Sequence, residues 1–197
     1  MKRECGMLLP VSSLPSKYGI GAFSKEAYDF VDKLRMAGQQ YWQILPLGPT
    51  GYGDSPYQSF SAFAGNPYFI DLECLIQEGL LTEEECDQAD FGQDAPEVNY
   101  EKLYKNRFPI LRKAYERWKR LQAPEGTWNQ LQAMGRKLEQ TLSEETREYC
   151  FYMAVKNHFK GKSWDQWDED IRLRKAEAVA KYRELWRMRL GFMSFSR

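Results

Sequence analysis

The sequence predicts an α/β fold that opens on a strand–helix–strand unit and then turns mostly helical. Three observations carry this. Two short apolar runs, Met7 to Val11 and Tyr41 to Leu47, flank a segment with helical periodicity. From about residue 73 onward, apolar residues recur at helical spacing and no strand pattern stands out. Between the two regimes lies "GYGDSPYQSFSAFAGNPYFIDL", Gly51 to Leu72, dense in glycine, serine and aromatic residues.

The elements follow in order. Met7 to Val11 reads as a buried strand feeding the "SSLPSKYGIG" loop. Ser24 stands where a helix cap belongs. Ala27, Phe30, Val31 and Leu34 then recur on one helical face, and Gly38 occupies the position of a C-terminal glycine. "YWQILPL" is short, apolar and aromatic and is closed by Pro46, so it reads as the second strand. A helix between two such strands requires a parallel pairing with a right-handed crossover. Beyond Leu72, Thr82 with Glu85 three residues on forms a capping box. Asn99 is placed to cap a long helix through Leu103, Ile110, Ala114, Trp118 and Leu121, which Pro109 must kink or restart. "TWNQLQAMGRKLEQTL" and "SEETREYCFYMAVKNHF" read as two further helices, the second stopped at Gly161. Ser163 is placed to cap a short helix that turns Trp164, Trp167 and Ile171 inward, and "KAEAVAKYRELWRM" is another helix. Two parallel strands do not make a stable sheet alone, so the opening reads as the start of a larger α/β fold.

Composition narrows the function classes. The 28 Lys and Arg balance the 28 Asp and Glu, which leaves no electrostatic footprint for nucleic acid or an anionic membrane. Hydrophobic residues make up 43% of the 197, enough for a packed core. The cysteines, Cys5, Cys74, Cys86 and Cys150, are far apart with no C-x-x-C pair, so they read as reduced thiols and not as a disulfide or zinc framework. His158 is the only histidine, which argues against a metal site or a Ser–His relay, and it reads as a helix-face residue. At the N-terminus, Met7 to Leu9 is cut by Pro10, too short for a signal-peptide core, and a cytoplasmic protein is expected.

The aromatic segment carries the chemistry. A sugar ring offers C–H patches on its faces and hydroxyls at its edge. Tyr52, Tyr57 and Phe60 supply flat platforms, while Asp54, Ser55, Gln58 and Ser59 supply hydrogen-bonding groups. Glycines permit close backbone approach and Pro56 stiffens the loop. The segment follows the C-terminal end of the second strand, the end at which α/β folds bind ligands. On composition alone, a loop that merely packs on the helices explains it equally well.

The order of residues separates these readings. "LPVSSLPSKYGIGAF", "QYWQILPLGPTGYGDSPYQSFSAFAGNPYFIDL" and "FYMAVKNHFKGKSWDQWDEDIRLR" closely resemble the amylomaltases, the bacterial 4-α-glucanotransferases or disproportionating enzymes, from about Gly6 to about Leu185. The resemblance implies the N-terminal part of a (β/α)₈ TIM barrel, its first two parallel strands, with a large mostly helical insertion and the barrel incomplete. It implies residues 1–72 as the barrel start with a sugar-facing loop at 48–70, and 73–185 as the insertion. It implies a retaining transfer of α-1,4-glucan segments between maltooligosaccharides through two carboxylates, with no cofactor and no metal. Carried over by motif, Tyr57 and Ser55 line sugar subsites with Asp54 beside them. Tyr52, and with looser flanks Tyr100, resemble residues of a secondary glucan surface. Asp71 has a structural, capping role, and Trp164 and Trp167 fall in the helical core.

Nothing in the chain matches the family's catalytic aspartate, acid/base glutamate or third aspartate, which belong to later barrel strands. A barrel of this kind needs about 250 residues. After "KYRELW" the text "RMRLGFMSFSR", from Arg187 in a tail taken as residues 186–197, departs from the resemblance, as a truncated or frameshifted product would. The expectation is therefore a glucanotransferase by family whose chain is inactive alone. A non-catalytic glucan-binding or interaction module is the alternative, and another α-glucan enzyme of the wider amylase-like clan is the third reading.

Overall fold

The computed structural model describes residues 3–51, 53–92, 97–122 and 140–187. They fall into two compact units, the first running to Arg117 and the second starting at Trp118. The expected domain boundary at residue 72 lies inside the first unit.

In the first unit, β1 (Gly6–Leu8) and β2 (Tyr41–Gln43) pair in parallel with Gly6 opposite Tyr41 and Leu8 opposite Gln43. Helix α1 (Lys25–Met36) makes the crossover. Both strands are shorter than the apolar runs that announce them. Pro10 has no N–H to donate, and the chain winds into a 3-10 turn at Val11–Ser13. Among the described residues Leu45 to Leu47 have no third strand to pair with. α1 covers one face of the sheet. Val11, Leu14 and Ala27 form its core with Phe30, Trp42, Leu47 and Phe69 packed around them, and the Phe30 and Trp42 rings meet edge to face at 5.0 Å. Outside this core Leu8 is 56% exposed and Tyr41 59%, the apolar exposure expected of a parallel pair lacking neighbours.

The ends of α1 answer the sequence signals differently. Gly38, at φ 70°, donates to the Arg35 carbonyl while Gln39 donates to that of Leu34, which is a Schellman closure. Ser24 does sit at the N-cap, but its hydroxyl donates to Glu26 at 2.5 Å instead of accepting from the helix backbone. The nearby carboxylate is the stronger partner.

Asp71 caps α2 (Leu72–Gln77) by accepting from the Glu73 N–H at 3.0 Å. Thr82 and Glu85 complete the capping box of α3 (Glu83–Asp87). Asn99 caps α4 (Tyr100–Gln122) through the Lys102 N–H, and α4 continues through Pro109 as one element. Glu85 also accepts two bonds from Arg117, at 2.5 and 2.8 Å, which pins α3 to α4 and holds the Glu85 carboxyl below the usual range. Arg107 of α4 is fully buried. It donates to the Ile70 carbonyl at 2.5 Å and to that of Tyr18 at 3.5 Å, and lies over the Phe91 ring.

The second unit contains α5 (Glu144–His158), α6 (Glu169–Arg172) and α7 (Ala176–Arg187). Leu142, Cys150, Phe151, Val155, Trp167, Ile171 and Tyr182 form its core. Trp167 is buried, stacks on Phe159 and donates its indole N–H to the Lys162 carbonyl. Trp164, expected inward, is 56% exposed. The segment Trp164–Gln166 is a single 3-10 turn, and the chain leaves it extended at Trp167, so the two indoles do not share a helical face. His158 ends α5 with its ring against Phe159 and Tyr182.

The closure of α5 runs to Gly161 as read: Gly161 stands at φ 81° and donates to the Lys156 carbonyl at 2.8 Å. Lys160 just before it is left-handed as well, at φ 55°, and donates to Asn157. A side chain in that conformation costs about 1 kcal/mol relative to glycine. Lys160→Gly is therefore expected to stabilise the second unit by about 1 kcal/mol, read as a rise in its urea midpoint. The expected helix "TWNQLQAMGRKLEQTL" lies outside the described residues except at its end, as does the tail beyond residue 187. Among the described residues no helix is long and apolar enough to cross a membrane.

Candidate functional site

The segments that leave β1 and β2 converge on one cavity of about 160 Å³ in the first unit. Pro10, Val11 and Ser12 reach it from β1, and Leu45 to Leu47 and Thr50 from β2. Asp54, Asn66 and Phe69 come from the aromatic loop and Tyr100 from the first turn of α4.

The loop closes on itself above this cavity. Thr50 and Ser59 form an isolated antiparallel bridge. Gly48 permits that return, because a Cβ there would overlap the Ser59 hydroxyl. Asp54 donates its N–H to the Gly51 carbonyl and stands at φ 53°, a left-handed conformation that aspartate tolerates better than most residues. Ser55 to Gln58 make a turn closed by a 3.0 Å backbone bond. Ser59 donates to the Ser61 carbonyl, and Ser61 accepts from the Phe63 and Ala64 N–H groups, so these hydroxyls hold the loop's own shape. At the far end Asn66 is buried. It donates its N–H to Leu47 and accepts from Tyr68 with its side chain, tying the loop to the exit of β2.

The expected site residues separate into two groups. Tyr57 points outward at 73% exposure, with Ser55 half-buried beside it and Phe60 and Phe63 also exposed. Asp54 and Tyr100 meet instead at the cavity wall. Thr50 and Ser12 line the same cavity. Burial pushes the Asp54 carboxyl above the usual carboxylate range, a rise that the nearby Thr50 hydroxyl opposes. Burial first, and then the Asp54 charge, push the Tyr100 phenol up and carry Tyr68 to about 12. The Tyr68 and Tyr100 rings lie 6.1 Å apart. Tyr52 lies outside the described residues. Sequence reasoning missed Ser12, Thr50 and Asn66. The available signal was position, since all three sit just past a strand end or at the loop's return.

Comparison with known proteins identifies the family. A family model described as 4-alpha-glucanotransferase matches residues 9–197. A 4-alpha-glucanotransferase of Streptococcus pneumoniae is 48% identical over 184 residues, 93% of this chain and 35% of that relative. One from Thermus thermophilus is 40% identical over 196 residues, 100% of this chain and 37% of the relative. Among solved structures, amylomaltase from Streptococcus agalactiae in complex with acarbose superposes with a TM-score of 0.82 at 38% identity, covering 99% of this chain and 38% of that one. The chain thus spans about a third of the length of the curated relatives it matches. With the family model matching nearly the whole of it, this chain belongs to the 4-alpha-glucanotransferase family.

Proposed function

We propose that this chain forms the glucan-gripping N-terminal portion of a 4-α-glucanotransferase that moves α-1,4-glucan segments between maltooligosaccharides. The observation that carries this reading is the exposed aromatic loop at the C-terminal ends of two parallel strands, in a chain whose relatives bear that activity's name. β1 and β2 are the first strands of a (β/α)₈ barrel, and the helices after Leu72, through residue 185, form its insertion. Tyr57 is the platform for a glucose face and Ser55 the neighbouring hydrogen-bonding group. Tyr52 and Tyr100 belong to a second glucan contact. An acarbose complex of the Streptococcus agalactiae amylomaltase supports a maltooligosaccharide as ligand. The protein works in the cytoplasm.

Chemistry requires more than grip. A retaining transfer needs a carboxylate nucleophile, which forms a glycosyl-enzyme, and a second carboxyl that protonates the departing sugar oxygen and then deprotonates the acceptor hydroxyl. Those carboxyls belong to the later barrel strands of the longer fold and not to this chain. Asp54 is committed to the cavity wall and Asp71 to capping α2. Incubation of the chain with maltotriose is therefore expected to release no glucose and form no longer maltodextrins, and either product would overturn the assignment. Binding without turnover is expected: Tyr57→Ala should weaken maltoheptaose binding about tenfold by calorimetry, the value of about 1–1.5 kcal/mol for a lost aromatic contact.

A further inference from the structure

We infer that Arg107 is a positioning residue for glucan binding: its buried guanidinium ties the segment leaving β1 and the root of the aromatic loop to α4, which fixes where Tyr100 stands against the cavity. This deepens the glucan-binding reading above and rests on it for its functional consequence.

Leu103, Arg107, Ile110, Leu111 and Ala114 share the inward stripe of α4, and all are buried. The arginine alone among them is charged, and its Nε finds no acceptor among the described residues. Its two Nη atoms donate to carbonyls on two different segments. One is that of Ile70, at 2.5 Å, where the aromatic loop ends. The other is that of Tyr18, at 3.5 Å, in the segment leaving β1. The Phe23 N–H joins the same two segments by donating to the Phe69 carbonyl. Ile20 and Phe69, close to the two bonded carbonyls, line the cavity. Tyr100 lines it too, two helical turns before Arg107 and within about 20° of it around the helix. The Tyr68 ring packs on both Tyr100 and Phe108, at 6.1 and 5.7 Å, so the root of the loop meets α4 at both levels. α4 therefore carries Tyr100 to the cavity and is held by Arg107 to two segments that wall it. Stability does not demand an arginine here. An apolar side chain of similar length fills the space without the cost of burying a charge. It cannot join two carbonyls on separate segments, and that direction is what the guanidinium fork supplies. Walls fixed before the ligand arrives need no ordering on binding, which preserves affinity.

Arg107→Met removes the fork and keeps most of the volume, so it separates position from stability. The N–H groups of Phe23, Phe69 and Ile70 bond within or between the held segments, and their hydrogen exchange in the free chain reads position. Exchange at Leu103 and Leu111 of α4 reads the unit as a whole. Arg107→Met is expected to speed exchange at Phe23, Phe69 and Ile70 by at least about tenfold more than at Leu103 and Leu111. Calorimetry with maltoheptaose, at a temperature where both proteins are folded, is expected to show binding weakened about fivefold. Because Arg107 acts through Tyr100, the same substitution made on top of Tyr100→Ala is expected to weaken binding by less than about twofold. Parent-like exchange at Phe23, Phe69 and Ile70, or equal acceleration there and at Leu103 and Leu111, would overturn the proposal, the second because Arg107 would then serve stability alone. An equal loss of affinity with and without the Tyr100 ring would overturn it as well. If the parent chain fails to bind maltoheptaose, the glucan reading fails, and the exchange comparison still decides whether Arg107 holds the two segments.

Discussion

Arg107→Ala is expected to lower the stability of the first unit by about 2–3 kcal/mol, while Arg107→Met stays within about 1 kcal/mol of the parent. The contrast follows from three opposing contributions. Alanine leaves a void where a long side chain was fully buried, worth about 2–5 kcal/mol. It also strips the Ile70 carbonyl of its 2.5 Å donor, at about 1–3 kcal/mol for a buried acceptor. Against these stands the cost of burying the charge. Burial pushes the Arg107 guanidinium down to about 10, which corresponds to about 3 kcal/mol recovered when the charge is removed. Methionine recovers the same cost and keeps most of the volume, so it loses only the carbonyl bonds. The guanidinium already carries an unsatisfied Nε, which places it on the expensive side of the balance. Hydrogen exchange at Leu103 and Leu111, both buried on α4, reads the stability of this unit. Equal stability of the alanine variant and the parent would show that the charge costs more than its contacts return.

A larger effect is expected from completing the sheet. β1 and β2 expose Met7, Leu8 and Tyr41, with Ile44 exposed just past β2, and a parallel sheet is stable only with both faces covered and its edges paired. The Streptococcus pneumoniae relative is 48% identical over the matching third, so the rest of that protein should find compatible surfaces here. Grafting this chain in place of that third is expected to restore maltotriose disproportionation. The gain over the isolated chain should be at least about a millionfold, the lower end of what assembled active sites provide.

Much of this was legible in the sequence, for identifiable reasons. The strand–helix–strand opening, the Gly38 stop, the Asp71 and Asn99 caps and the Thr82–Glu85 box depend on a few adjacent residues, and local physics decides them. Where a distant or competing partner decides, the reading failed. Ser24 gives its hydroxyl to Glu26, and Trp164 is turned out by a 3-10 turn instead of continuing a helix. At the candidate site, composition pointed to the loop but could not divide it. That Tyr57 faces out while Asp54 and Tyr100 line a cavity depends on the Thr50–Ser59 bridge and on the approach of α4, both contacts between residues distant in the chain. Nor does composition reveal Arg107 as buried, since an arginine in a helix is ordinarily solvated.

Glucose release from maltotriose by the grafted protein is the most direct measurement of whether this chain supplies the glucan-gripping third of a transferase. A graft that melts cooperatively, releases glucose and builds longer maltodextrins, and loses most of that rate with Tyr57→Ala, is the predicted result. A graft that melts cooperatively yet forms no transfer product, or one whose rate is indifferent to Tyr57→Ala, would contradict it.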